Sequence, residues 1–253
     1  MASDLSSTHS SISCSGYCRD CETDHTLQSE RAIPHALRLM ESLQQYQRLD
    51  FEQELIHTDP RLHTDWLYSD ALGKMFGILV CNDLEGNEVI LKAFSSKYNG
   101  LRVIEGWVDP LVDATLFDAT IEAGNKLIHP LTLRISELEK NSTESIQLIQ
   151  ERKRVSKPIL EKLLALYEVH NFKNERRTLK EAFDPSKKMP IGTGDCCAPK
   201  LINHAAKNGL IPISLAEFFW GKPLASGDRI EGQFYPSCSE RCEPLLGFML
   251  CGK

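Results

Sequence analysis

The sequence predicts an α/β protein with a three-layer α/β/α core, interrupted by a long helical insertion. Three observations carry this. Residues 74–94 read as strand, turn, strand; residues 192–250 read as helix, strand and a second helical start, with cysteines at the start of each helix; between these blocks apolar residues recur at helical spacing. The expected organisation is a Cys-rich tail over 1–30, the first half of the core over 31–110, an insertion and loop over 111–190, and the second half of the core over 191–253.

Residues 1–13 are Ser/Thr-rich and are expected to be disordered. They lack the basic-then-apolar layout of a secretory signal, and the reading is of a cytoplasmic protein. Cys14-Ser-Gly-Tyr-Cys18-Arg-Asp-Cys21-Glu-Thr-Asp-His25 follows, four soft or borderline ligands within twelve residues. Short loops let such a segment fold round one ion like a zinc knuckle, so Cys14, Cys18, Cys21 and His25 are candidate zinc ligands.

From Ala32 to about Ile56 an amphipathic helix is expected, with Leu37, Met40, Leu43, Tyr46, Leu49 and Ile56 on its core side. Lys74–Asn82 and Val89–Phe94 are rich in strand formers. Asp83-Leu-Glu-Gly-Asn87 supplies turn chemistry between them, giving a β-hairpin. Cys81 reads as a buried small hydrophobe.

Residues 111–183 read as helical for most of their length, with Pro130 and Pro158 starting or breaking helices. The run Glu151-Arg-Lys-Arg154, with Lys157, is the densest basic stretch and reads first as a solvated helix face. Residues 173–190 read as a connecting loop.

In the last block Gly192-Thr-Gly194 makes a tight turn, Asp195 is an N-cap, Ala198 to Ala206 form a helix and Gly209 ends it. Pro212 to Trp220 form a strand, Gln233 to Tyr235 a short strand or turn, and Pro236 leads into Cys238 and Cys242 at a second helical start. Lys200 lies in a first helical turn, where an anion can bind. His204 reads as packed or surface-lying, and Phe218 and Phe219 as core.

Nine cysteines in 253 residues, clustered and odd in number, point to metal rather than disulfides in a chain of this size. Cys196, Cys197, Cys238 and Cys242 are candidate zinc ligands, because converging thiolates hold zinc. Four of them would close the site and three would leave a position for water; the choice between Cys196 and Cys197 stays open. Cys251, near the terminus, reads as incidental. The formal net charge of −6 gives no global pull on nucleic acid, so an RNA-binding surface must be local. No apolar run reaches the ~18 residues that span a membrane, and no membrane partner is expected.

The order of elements is similar to the cytidine-deaminase-like fold, in which a His or Cys at one helix start and two Cys at the next hold zinc. That resemblance implies motifs His/Cys-x-Glu and Pro-Cys-x-x-Cys. Here the second reads Pro236-Ser-Cys238-Ser-Glu-Arg-Cys242, with ligands four apart, a spacing that still shares a helix face. The glutamate position holds Ala198 or Pro199, neither of which can shuttle a proton. Glu217, Asp195 and Glu243 are candidates to substitute, with Glu217 placed first.

The stretches GKMFGILV, KAFSSKYNG, GTGDCCAPKLINHAAKNGL, AEFFWG and FYPSCSERCEPLLGFML also resemble the N-terminal extension, or standalone counterpart, of RluA-type RNA pseudouridine synthases. This likeness runs from Tyr17 onward and implies an association with RNA modification. The HRLD-type motif that carries the synthase nucleophile does not occur in these residues, so synthase activity is not implied. Two functions follow as expectations: a zinc-stabilised accessory module acting with RNA, or a deaminase-like zinc hydrolase acting on a nucleobase or nucleotide. A third, plainer reading is a thiol protein with redox-sensitive or structural cysteines.

Overall fold

The computed structural model describes residues 12–70, 72–223 and 227–253. The expectation of disorder at the N-terminus falls almost wholly on residues 1–11, outside the described residues. The chain folds as an α/β protein around a four-stranded antiparallel sheet. Its strands are β3 (Lys74–Asn82), β4 (Glu88–Phe94), β7 (Ile211–Trp220) and β8 (Phe234–Tyr235), in the order β4-β3-β7-β8.

The β3–β4 hairpin forms because the Asp83 carboxylate ties its turn, accepting the N–H groups of Glu85 and Asn87 at 2.9 and 2.8 Å. Alternation along the central strands sorts two cores. Phe76, Ile78, Val80, Ala216 and Phe218 face one side, where helix α1 (Ile33–Tyr46) packs Ala36, Leu39, Met40 and Leu43 on them. Leu79, Cys81 and Leu215 face the other, covered by α5 (Cys197–Lys207) and α6 (Glu243–Met249). Helices on both faces make three layers.

Several elements differ from the sequence expectation. Helix α1 stops at Tyr46 because Gln47 is left-handed (φ 54°) and the chain turns into short 3-10 segments. Leu37 and Tyr46 lie on the exposed face of this helix and Ile56 is exposed beyond it, whereas Leu49 is buried from outside the helix. The insertion is a helical hairpin of α2 (Ala114–Glu137) and α3 (Thr143–Leu164), started by Asp113 and Ser142 as side-chain caps. Pro130 and Pro158 neither start nor break these helices but lie inside them. The stretch after it is neither continuous helix nor wholly loop. It holds a small antiparallel pair, β5 (Glu168–His170) with β6 (Arg176–Thr178), and a four-residue helix α4 (Leu179–Ala182) closed by the Thr178–Glu181 capping box.

The Cys-rich stretch is a β-hairpin, β1 (Ser13–Cys18) with β2 (Thr23–Gln28), packed on α6 rather than a free tail. Among the described residues no helix is long and apolar enough to cross a membrane.

Candidate metal centres

Helix α5 begins close to the sheet. Gly77 on β3 allows this approach: a Cβ there would lie 2.7 Å from the Cβ of Cys197. The two adjacent cysteines diverge at this helix start. Cys197 is fully buried and its thiol donates to the carbonyl of Met75 at 3.3 Å. Cys196, the N-cap, turns the other way and meets Cys238 and Cys242, with the three sulfurs within 4.8 Å of one another. Asp195 does not cap the helix; its carboxylate accepts the Tyr167 hydroxyl at 2.9 Å.

Cys238 and Cys242 do not share a helix face. Both precede α6, in a turn where the N–H groups of Cys242 and Glu243 donate to the carbonyl of Cys238 at 3.1 Å, and Cys242 is the N-cap. The turn brings their sulfurs to 3.4 Å. The extra residue relative to a Cys-x-x-Cys spacing is thus absorbed by a turn. Hydrogen bonding to Cys196 holds the Cys238 thiol well below its usual value, and contacts among the three push Cys196 and Cys242 up. A tetrahedral ion with metal–sulfur bonds of about 2.3 Å keeps its sulfurs about 3.8 Å apart, so this trio fits a metal ion with minor adjustment.

Glu217 lies beside the trio on β7, on the α5 face with Leu215. It is buried, and its carboxylate accepts the N–H of Ala198 at 3.1 Å. Burial, with the nearby Cys238 thiolate, raises its pKa to about 7 against the Ala198 N–H, which lowers it. An open groove of about 620 Å³ borders the trio; Arg229, Cys238, Glu240 and Arg241 are among its lining residues. Of the other carboxylates considered from sequence, Glu243 lines this groove and Asp195 is held by Tyr167.

A second cluster unites Cys18, Cys21, His25 and Cys251, again within 4.8 Å. Cys21 lies 3.1 Å from His25 Nε2 and 3.6 Å from Cys251. Burial, with Lys253 and Lys173 nearby, holds the His25 pKa down, which keeps the imidazole neutral as a metal ligand must be. Cys14 does not take part. It shares a strand with Cys18, four residues and about 13 Å along it, and is buried in the main core. Its place is taken by Cys251, which the sequence reading treated as incidental. The available signal was stoichiometric: Cys18, Cys21 and His25 need a fourth ligand, and four residues of extended chain carry Cys14 about 13 Å from Cys18.

Lys200, offered from sequence as an anion contact, is buried. Its ammonium donates to the carbonyls of Phe94 and Ser96 at 2.7 and 3.4 Å, so it is committed to the backbone. No protein-family model, curated protein or solved structure matches this chain.

Proposed function

We propose that the chain is a zinc-dependent hydrolase of deaminase-like layout, acting on the exocyclic amine of a nucleobase or nucleotide. Cys196, Cys238 and Cys242 are its zinc ligands. The observation that carries this reading is the Glu217–Ala198 hydrogen bond. Ala198 stands two residues after Cys196, where the deaminase-like motif has its glutamate. Glu217 reaches that same position from the following strand, which restores a carboxylate the motif itself lacks. The order of β3–β4 hairpin, α5, β7 and Cys238–Cys242 turn supports the same layout.

Three protein ligands leave a fourth position, and zinc bound there would act as a Lewis acid on a group entering it. Glu217 passes one proton of the attacking water to the ring nitrogen and the other to the leaving amine, so that N=C–NH₂ and H₂O become HN–C=O and NH₃. Ala198 N–H orients the carboxylate, and burial brings its pKa to about 7, so that it both accepts and donates near neutrality.

The test is ammonia release from nucleobases, nucleosides, nucleotides and RNA by zinc-loaded protein. The Glu217→Gln variant should keep its zinc and lose roughly 10²- to 10⁴-fold in rate. No release from any of these substrates would overturn the reading.

Two observations favour the accessory-module alternative. Glu217 is not among the residues lining the groove beside Cys238, while Lys153, Arg154 and Lys157 are exposed on the helical hairpin. In that reading zinc is structural and the hairpin contacts RNA. Affinity for structured RNA should fall with salt, and reversing these three charges should weaken it; binding unaffected by either would remove the alternative.

A further inference from the structure

The four-ligand cluster lies across one short helix from the three-cysteine centre. We infer that Cys18, Cys21, His25 and Cys251 form a closed structural zinc staple that locks α6 in place and thereby sets the zinc affinity of the three-cysteine centre. A Cys₃His set fills a tetrahedral shell and leaves no position for substrate, the signature of a structural site. The staple joins residues 230 apart in the chain, Cys21 and Cys251.

The coupling follows from what lies between the centres. Helix α6 has seven residues, with Cys242 as its N-cap and Cys251 directly after its C-cap Leu250. A helix this short is not stable by itself, so its position depends on what fixes its ends. Strand β1 runs beside it and also touches both centres. At one end Ser13 accepts the N–H of Ser237 and Ser15 donates to the Ser237 hydroxyl, both at 3.4 Å, next to Cys238. At the other end its last residue, Cys18, is a staple ligand.

Strand and helix meet backbone to backbone. A Cβ on Gly16 would lie 2.6 Å from the carbonyl oxygen of Glu243, and one on Gly247 would lie 2.7 Å from the nitrogen of Cys18. Such a contact has no side chains to give way, so a shift of α6 at the staple is passed on to Cys242. The packed pair behaves as one rigid strut between the two sites.

The experiment is zinc per full-length chain, with each site's affinity read by chelator competition. The wild type should hold two zinc ions. Cys21→Ala and Cys251→Ala should each hold one, with the remaining site weakened roughly 5- to 150-fold. By reciprocity Cys238→Ser/Cys242→Ser should weaken the staple by the same factor. Two zinc ions in Cys251→Ala would overturn the staple. An unchanged second affinity in Cys21→Ala, whose cysteine is only half-buried, would overturn the coupling.

Should Cys251→Ala fail to fold, X-ray absorption on zinc-loaded Cys238→Ser/Cys242→Ser decides the ligand set. Three sulfurs at about 2.3 Å and one nitrogen at about 2.0–2.1 Å support it; two sulfurs overturn it. The coupling rests on the three-cysteine centre binding zinc. If that centre binds none, the wild type holds a single zinc that Cys21→Ala removes and Cys238→Ser/Cys242→Ser retains. The staple stands independently of any ammonia release.

Discussion

Replacing Glu217 with glutamine should make the metal-free protein more stable at alkaline pH. The carboxylate is buried and its pKa is raised from 4.5 to about 7, first by the loss of water around it. The folded chain therefore binds a proton that the unfolded chain has released, across the interval from about 4.5 to about 7. In that interval stability falls as pH rises, and above it the full cost is present. At about 1.4 kcal/mol per pH unit, the cost above pH 7 is on the order of 3 kcal/mol, and most of it develops between pH 5 and pH 8. Glutamine keeps an oxygen to accept the Ala198 N–H and removes the charge.

The assay is urea unfolding of wild type and Glu217→Gln, both reduced and chelator-treated, at pH 5 and pH 8. The difference between the two proteins reads Glu217 together with the thiols its charge pushes up, Cys14, Cys196, Cys197 and Cys242. The variant should gain about 2–3 kcal/mol over the wild type on going from pH 5 to pH 8, or roughly 5–10 °C in Tm for a chain of this length. A difference that stays flat, or a variant that is the less stable at pH 8, would refute the argument that this carboxylate is held at a cost. Restoring zinc should shrink the difference, because a cation beside Glu217 favours its charged form.

Other outcomes are expected. Gly77→Ala places a methyl 2.7 Å from the Cys197 Cβ; it should cost about 1–3 kcal/mol by overpacking and weaken metal binding at Cys196, which urea unfolding and zinc titration measure together. Asn203→Ala removes the oxygen that accepts the His170 backbone N–H at 2.8 Å; losing this half-buried hydrogen bond should cost about 1 kcal/mol, read from the unfolding midpoint. Stripping zinc from the wild type should open the β1–β2 hairpin to protease before the central sheet, because that hairpin is tied by the staple and the sheet by its own ladders. Cleavage beginning instead within β3 or β7 would argue that the staple carries no load.

Patterns of short range were legible without the fold. The β3–β4 hairpin announces itself through strand formers either side of an Asp-to-Asn turn. The start and end of α5 follow from the Gly-rich turn and Gly209, and β7 from its apolar run. These signals are local, since turn chemistry and side-chain alternation act over a few residues. Where the local signal is ambiguous, the sequence misleads. Pro130 and Pro158 look like breaks, yet each sits inside a helix of more than twenty residues. Glu168–Thr178 reads as helix or loop, yet it pairs as a hairpin whose first strand is held by Asn203 from α5.

The sequence by itself determined that this is an α/β chain with a long helical insertion, and that candidate metal ligands cluster in cysteines at 18–21, 196–197 and 238–242. It also showed that the deaminase-like glutamate is missing after Cys196. Only the tertiary structure decided which sulfurs converge. Two neighbouring thiols cannot be told apart by spacing, but Gly77 draws Cys197 against β3 and frees Cys196 for Cys238 and Cys242. Cys251 and Cys18 stand at opposite ends of the chain, and nothing local to either predicts their meeting. Their contact comes from β1 lying against α6, a packing of two glycine-lined backbones. Glu217 likewise belongs to the site only because β7 runs beneath the first turn of α5, where its carboxylate meets the N–H of Ala198.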